Sequence, residues 1–214
     1  TDSHEWVAEC MILYNKEVAK KLLETNSGLL RTHKAADAEK LRMFTDIHPG
    51  LKALAYEAAN YEPTAPGLVH ATLGGTPYCH ASSPIRRYAD LVNQRALKAI
   101  LKGQASDPVT QDLVTHLNAT QKKMRAYERA LFFLEQVVNQ TSGCIEGHVV
   151  FATPEKTNVY IPAWKHMIRL PPGQYSTGQT LTIEYYANLQ KPHWDERMVF
   201  RIRNDINEDA KHDA

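Results

Sequence analysis

A chain of 214 residues has room for one large domain or two small ones, and 43% hydrophobic against 23% charged residues is a balance that supports a buried core and excludes a disordered chain. A formal net charge of +1, with a pI near 7.7, excludes a protein that binds polyanions through overall charge alone. No apolar run reaches the ~18 residues that a membrane-spanning helix needs.

Charge is nevertheless uneven along the chain. Residues 1–79 carry 8 Lys/Arg against 10 Asp/Glu, residues 80–140 carry 9 against 5, and residues 141–214 carry 8 against 9. The basic excess sits in the middle third, where a solvated helical face is the ordinary explanation. Cys10, Cys79 and Cys144 are odd in number and match no zinc spacing, so they read as reduced thiols in a cytoplasmic or similarly reducing compartment. The opening TDSHEW is neither a signal peptide nor a methionine start and reads as the beginning of a piece of something longer.

In chain order, Trp6, Val7, Cys10, Met11, Tyr14, Val18 and Leu22 fall on one face of a helix over residues 4–24, with Gly28 as its stop. A second helix is expected from about Asp37. Residues 46–79 are rich in proline and glycine, with a helix through 50–60 and an extended stretch at 67–73. Two longer helices follow, from about Pro84 to Leu101 and from about Pro108 to Asn139. Along the second, Leu113, Leu117, Met124, Tyr127, Leu131, Leu134 and Val138 form a stripe expected to be core or helix–helix contact. After Ser142-Gly143 the chain turns to short β-branched and aromatic runs (CIEGHVVF, TNVYIP, QTLTIEYYA, RMVFRI) separated by turn signals. They predict a small antiparallel barrel of oligonucleotide-binding type. The expected class is thus α+β, with a helical part over 1–141, a barrel over 142–203 and a polar tail over 204–214.

The stretch HASSPIRRYADLVNQRAL, residues 80–97, carries the chemistry. Ser83 is a preferred N-cap and Pro84 suits the first helical position. Arg86 and Arg87 would then lie in the first turn, where the helix dipole disfavours cations. An anion at that site resolves the conflict, because free N–H groups and a guanidinium together make a phosphate pocket. The structural alternative is an ion pair from Arg87 to Asp90 or to Glu128.

This block resembles the signature of the RNB-domain exoribonucleases, the ribonuclease II and ribonuclease R family, whose pattern is close to Ser-Pro-Ile-Arg-Arg-Tyr, any residue, Asp. HEWVAECMILYNKEVAKKL is similar to the family's Glu-x-x-Met-Ile-x-x-Asn helix at Glu9, Met11, Ile12, Asn15, Val18 and Ala19. GLLRTHKAADAEKL is similar to a second family segment at Arg31, His33, Asp37, Glu39, Lys40 and Leu41, and MRAYERAL to a later helix at Glu128 and Arg129. Ala81 departs from the family pattern, which has an aromatic there, and the segment between 41 and 72 is shorter than usual.

The resemblance implies a processive 3′-5′ exoribonuclease that hydrolyses single-stranded RNA to nucleoside 5′-monophosphates with Mg²⁺. It implies that Arg86 meets the scissile-side phosphate, that Glu128 meets the terminal ribose, and that Tyr78, His80, Ser83 and Arg87 contact the RNA. For Tyr78 the alternative is core packing, and for Glu128 an ion pair with Arg125 or Arg129. The family's aspartate cluster has no counterpart here: Asp37, Asp46, Asp90, Asp107 and Asp112 are scattered. The Mg²⁺ ligands are therefore expected on an N-terminal part of the RNB domain, as a partner segment, and no metal ligand is assigned in this chain. In the barrel, Tyr160, Trp164, Tyr185 and Tyr186 are candidates for stacking on RNA, with half expected in the core because strand neighbours face opposite ways. The alternative function is an inactive RNB relative that binds RNA or serves as a scaffold.

Overall fold

The computed structural model describes residues 2–188, 190–192 and 197–203; the tail expected at 204–214 lies outside them. The chain divides into two compact units, Thr1–Ala36 with Tyr56–Met124, and Asp37–Ala55 with Arg125–Ala214. The compact units therefore divide the chain elsewhere than the change of composition at 141/142. Residues 37–55 and the last half of the long helix cluster with the strands.

In the first unit, helix α1 (Ser3–Glu24) opens on Asp2, whose carboxylate accepts the His4 N–H. Its buried positions Asn15, Val18, Ala19 and Leu22 have the i, i+3, i+4, i+7 spacing of one helical face. The expected apolar face buries only at its C-terminal end; Trp6, Val7 and Tyr14 are exposed. Strands β1 (Leu29–Thr32) and β2 (Asn60–Pro63) pair antiparallel, Leu29 opposite Pro63. Gly28 precedes β1 with φ +72°, and a Cβ there would stand 2.6 Å from Asn93 Oδ1, so both conformation and space require glycine. A 3-10 turn at Pro49–Ala55, in the second unit, replaces most of the helix expected at 50–60, and another occupies Ala71–Leu73.

Helix α3 runs Tyr88–Leu101, beginning four residues later than the Ser83-Pro84 start predicted from sequence. Ser83 does not cap it. The Asp90 carboxylate takes the Ser83 N–H at 2.7 Å, folding residues 83–87 into a turn in front of the helix. Arg87 stands at the N-cap position without a capping side-chain bond, so the clash with the helix dipole argued from sequence does not arise in that form.

Helix α4 spans Gln111–Asn139. Its buried positions are Val114, Phe133 and Val137, whereas Met124, Tyr127, Leu131, Leu134 and Val138 of the expected stripe are exposed. In the second unit the helix turns Phe133 and Val137, one residue round from the stripe, into the sheet core. Phe133 meets Trp164 edge-on with centroids 5.6 Å apart and stacks on His166 at 4.2 Å.

The same unit holds α2 (Ala38–Ile47), capped by Asp37, and five strands: β3 (Ser142–Thr153), β4 (Lys156–Ile161), β5 (His166–Leu170), β6 (Thr180–Ala187) and β7 (Met198–Ile202). All pairs are antiparallel, in the order β5-β4-β3-β6-β7, and the sheet curls into a half-barrel. This is the strand order of a five-stranded Greek-key barrel left open between β5 and β7. Gly147 lets the curl close over the core: a Cβ there would lie 2.7 Å from Val159 and 2.8 Å from Ile183.

Candidate nucleic-acid interface

Residues 78–87 of the first unit form a loop held from beneath by three buried polar side chains. Asn15, 2% exposed, donates to Tyr78 Oη at 3.0 Å and Ser82 Oγ at 3.2 Å, and accepts the Ala81 N–H at 2.9 Å. Asn93, fully buried, accepts the Leu29 N–H at 2.7 Å and donates to the Leu29 and His80 carbonyls at 2.9 Å each. Asp90, also fully buried, grips Arg87 through both carboxylate oxygens and holds Ser83 as well. Buried amides and carboxylates satisfied in this way rigidify what they hold.

Above this base, Arg86 is exposed, and its guanidinium makes no hydrogen bond or ion pair among the described residues. Its backbone N–H is turned in to the Ser83 carbonyl at 3.3 Å. The two adjacent arginines are thus different. Arg87 is the structural partner of Asp90, the alternative the sequence left open, and Arg86 is the free cation.

Tyr78 is buried, which is the core-packing alternative, and meets His70 and His80 edge-on. His80 Nδ1 lies 2.8 Å from Tyr61 Oη. Burial first, then Arg87, Arg31, His70 and Arg86, push the His80 pKa down to about 3. Burial, with His33 and Arg31, pushes His70 down to about 4. Both rings are therefore neutral near neutral pH, and the fixed positive charge of the loop is carried by arginine. Arg31, 3% exposed, donates to Gln121 at 2.6 Å and lies over the Tyr61 ring at 4.6 Å.

The structure brings Tyr78, His80, Ser83, Arg86 and Arg87 together in one unit. Glu128 lies in the other unit on α4, exposed, with no ion pair to Arg125 or Arg129 among the described residues. In the half-barrel, Tyr160, Trp164 and Tyr185 are core residues, leaving Tyr186 on the surface beside Arg201, 5.8 Å from its ring. Sequence reasoning did not single out Asn93, Gln94 or Tyr61. For Asn93 the signal was present: an asparagine on the buried face of a helix between Ala89 and Ala96. Among the described residues, no group of three His, Cys, Asp or Glu could hold a metal ion.

Residues 1–103, which include the arginine loop, match the RNB domain. The chain is 30% identical over 169 residues to ribonuclease R of Helicobacter pylori, an alignment covering 60% of this chain and 26% of that protein. Among solved structures, ribonuclease R of Mycoplasma genitalium in complex with ribose-methylated single-stranded RNA matches with a TM-score of 0.65 at 16% identity, over 92% of this chain and 41% of that one. The yeast pseudonuclease Ssd1 matches with a TM-score of 0.56 at 18% identity, over 85% and 29%. The chain thus spans about a quarter of the curated ribonuclease R it matches. The RNB resemblance read from the Ser-Pro-Ile-Arg-Arg-Tyr block is borne out, and so is the α+β class.

Proposed function

We propose that this chain is the RNA-holding part of a processive 3′-5′ exoribonuclease that releases nucleoside 5′-monophosphates from single-stranded RNA. One observation carries the reading: Arg86 is an exposed guanidinium with no protein partner among the described residues, on a loop that Asp90, Asn15 and Asn93 hold rigid. Such a preorganised donor takes a phosphate in two-pronged fashion and stabilises charge that develops on it during hydrolysis. Arg87, bound to Asp90, sets the loop; Ser83 and His80 shape it. Glu128 is assigned to the 3′-terminal ribose, whose hydroxyls a carboxylate accepts.

Among the described residues the carboxylates form no cluster that fits a Mg²⁺ ion. The reading assigns the Mg²⁺ ligands to an RNB segment outside this sequence, and the cysteines, all free, to a reducing, cytoplasmic setting. A second reading, RNA binding without hydrolysis, has the likeness to a pseudonuclease fold in its favour. Product analysis separates the two. With 3′-labelled single-stranded RNA and Mg²⁺, a gene product joining this sequence to an aspartate cluster releases labelled 5′-monophosphate, and Arg86→Ala lowers turnover by about 100- to 1,000-fold. Unchanged turnover in that variant overturns the mechanism.

A further inference from the structure

Helix α1 is packed along its C-terminal half, from Asn15 on, and open along its N-terminal half. Trp6 is 66% exposed and Tyr14 42%. Together with Met11 they form one wall of a groove of about 460 Å³, whose other wall is Ser82 and Gln94. That volume is in the ~300–1,000 Å³ range of small-ligand clefts. Ser82 belongs to the arginine loop: the Arg86 N–H donates to the carbonyl of its neighbour Ser83. The groove and the free guanidinium are therefore parts of one rigid loop-and-helix arrangement within a single unit.

We propose that this groove is a nucleobase subsite, holding a base of the single-stranded RNA whose phosphate Arg86 takes. Trp6 and Tyr14 supply the stacking faces. The inference rests on the reading of Arg86 as a phosphate-binding residue. Charge orients the nucleotide. The start of α1 carries Asp2, Glu5 and Glu9, all exposed, which repel phosphate, while Arg86 attracts it. The neutral base is the part of a nucleotide that can lie against α1. Ser82 Oγ already accepts from Asn15 Nδ2, which leaves its own O–H to donate to a base edge, and the Gln94 Nε2 is engaged by the Ala81 carbonyl at 2.7 Å. With so few directed polar groups, the site reads planarity more than sequence, as aromatic platforms for single strands do.

The test compares a 5′-fluorescein oligoadenylate with an oligomer of equal length whose riboses are abasic, by anisotropy. Trp6→Ala and Tyr14→Ala each weaken oligoadenylate about tenfold, about 1.4 kcal/mol, and leave the abasic oligomer unaffected; Trp6→Phe restores most of the affinity. Arg86→Ala weakens both oligomers. Oligoadenylate quenches tryptophan emission in the wild type and not in Trp6→Phe. Both aromatic side chains are exposed, and urea midpoints confirm that the variants fold. If Trp6→Ala and Tyr14→Ala bind oligoadenylate as the wild type does while Arg86→Ala weakens it, the groove inference is wrong and the phosphate reading stands. If Arg86→Ala weakens neither oligomer, the phosphate reading falls and the groove inference falls with it.

Discussion

Asp90 binds Arg87 through both carboxylate oxygens, Oδ2 to Nε at 2.8 Å and Oδ1 to Nη2 at 2.9 Å, with no solvent exposure of the carboxylate. Because the same Oδ1 accepts the Ser83 N–H at 2.7 Å, one buried charge closes the turn from both ends. Of the three residues between them, Ile85 and Arg86 are turned outward. A pair of like residues is thus split into a structural member and a free one.

Removing one partner of a buried ion pair leaves the other charge uncompensated, which costs about 3–5 kcal/mol. Asp90→Ala is expected near the lower end, because the Arg87 side chain retains 24% exposure. Asp90→Asn keeps one acceptor and loses less. Urea unfolding checks both, and a loss below about 1 kcal/mol in Asp90→Ala contradicts the account.

His70 and His80 have folded pKa values lowered to about 4 and about 3 from an ordinary 6.5. Below pH 6.5 the unfolded chain therefore binds protons that the folded chain refuses, so stability is fully present above that pH and falls as pH drops toward 4 and then 3. Replacing His80 by glutamine flattens this fall. Urea midpoints measured from pH 7 to 4 test it; a midpoint for the wild type that rises as pH falls from 6.5 to 4 would show the sign to be wrong.

Gly28→Ala combines a left-handed φ of +72° with a Cβ position 2.6 Å from Asn93 Oδ1 and 3.0 Å from Leu22. Left-handed backbone alone costs a non-glycine residue roughly 1–2 kcal/mol. Gly67, at φ +83°, has no atom within 4 Å of its built Cβ. Thermal unfolding should show Gly28→Ala clearly less stable than Gly67→Ala; equal losses would mean that Asn93 gives way freely.

Neighbouring tyrosines on β6 make a sharper contrast. Tyr185 is 3% exposed and packs edge-on against Trp164 at 4.6 Å, whereas Tyr186 is 37% exposed. Tyr185→Ala is expected to cost about 3–5 kcal/mol, as large core truncations do. Tyr186→Ala should stay within about 0.5 kcal/mol of the wild type. Calorimetry of the two variants checks which face is core.

The strand runs and the starts of α1 and α2 were legible because each follows a local rule: Asp2 and Asp37 cap, and side chains alternate across the sheet. The start of α3 was not, although Ser83-Pro84 satisfies the same rule. A carboxylate seven residues on took the N–H of Ser83, and no propensity reports a competition of that kind. The α4 stripe misled for a related reason. Its heptad spacing is real, but the flank carrying Phe133 and Val137 meets Trp164, and which flank is buried depends on the partner surface. The arginine block was legible as a unit; the division of labour between Arg86 and Arg87 needed the position of the Asp90 carboxylate.

The central claim is that Arg86 is a phosphate ligand free of structural duty. The measurement that tests it most directly is the salt dependence of single-stranded RNA binding for the wild type and Arg86→Ala. Each phosphate neutralised contributes about 0.7 to the slope of log K against log salt for single strands. The account predicts a slope shallower by about that amount in Arg86→Ala, with an unchanged urea midpoint. A slope and affinity equal to the wild type's would contradict it.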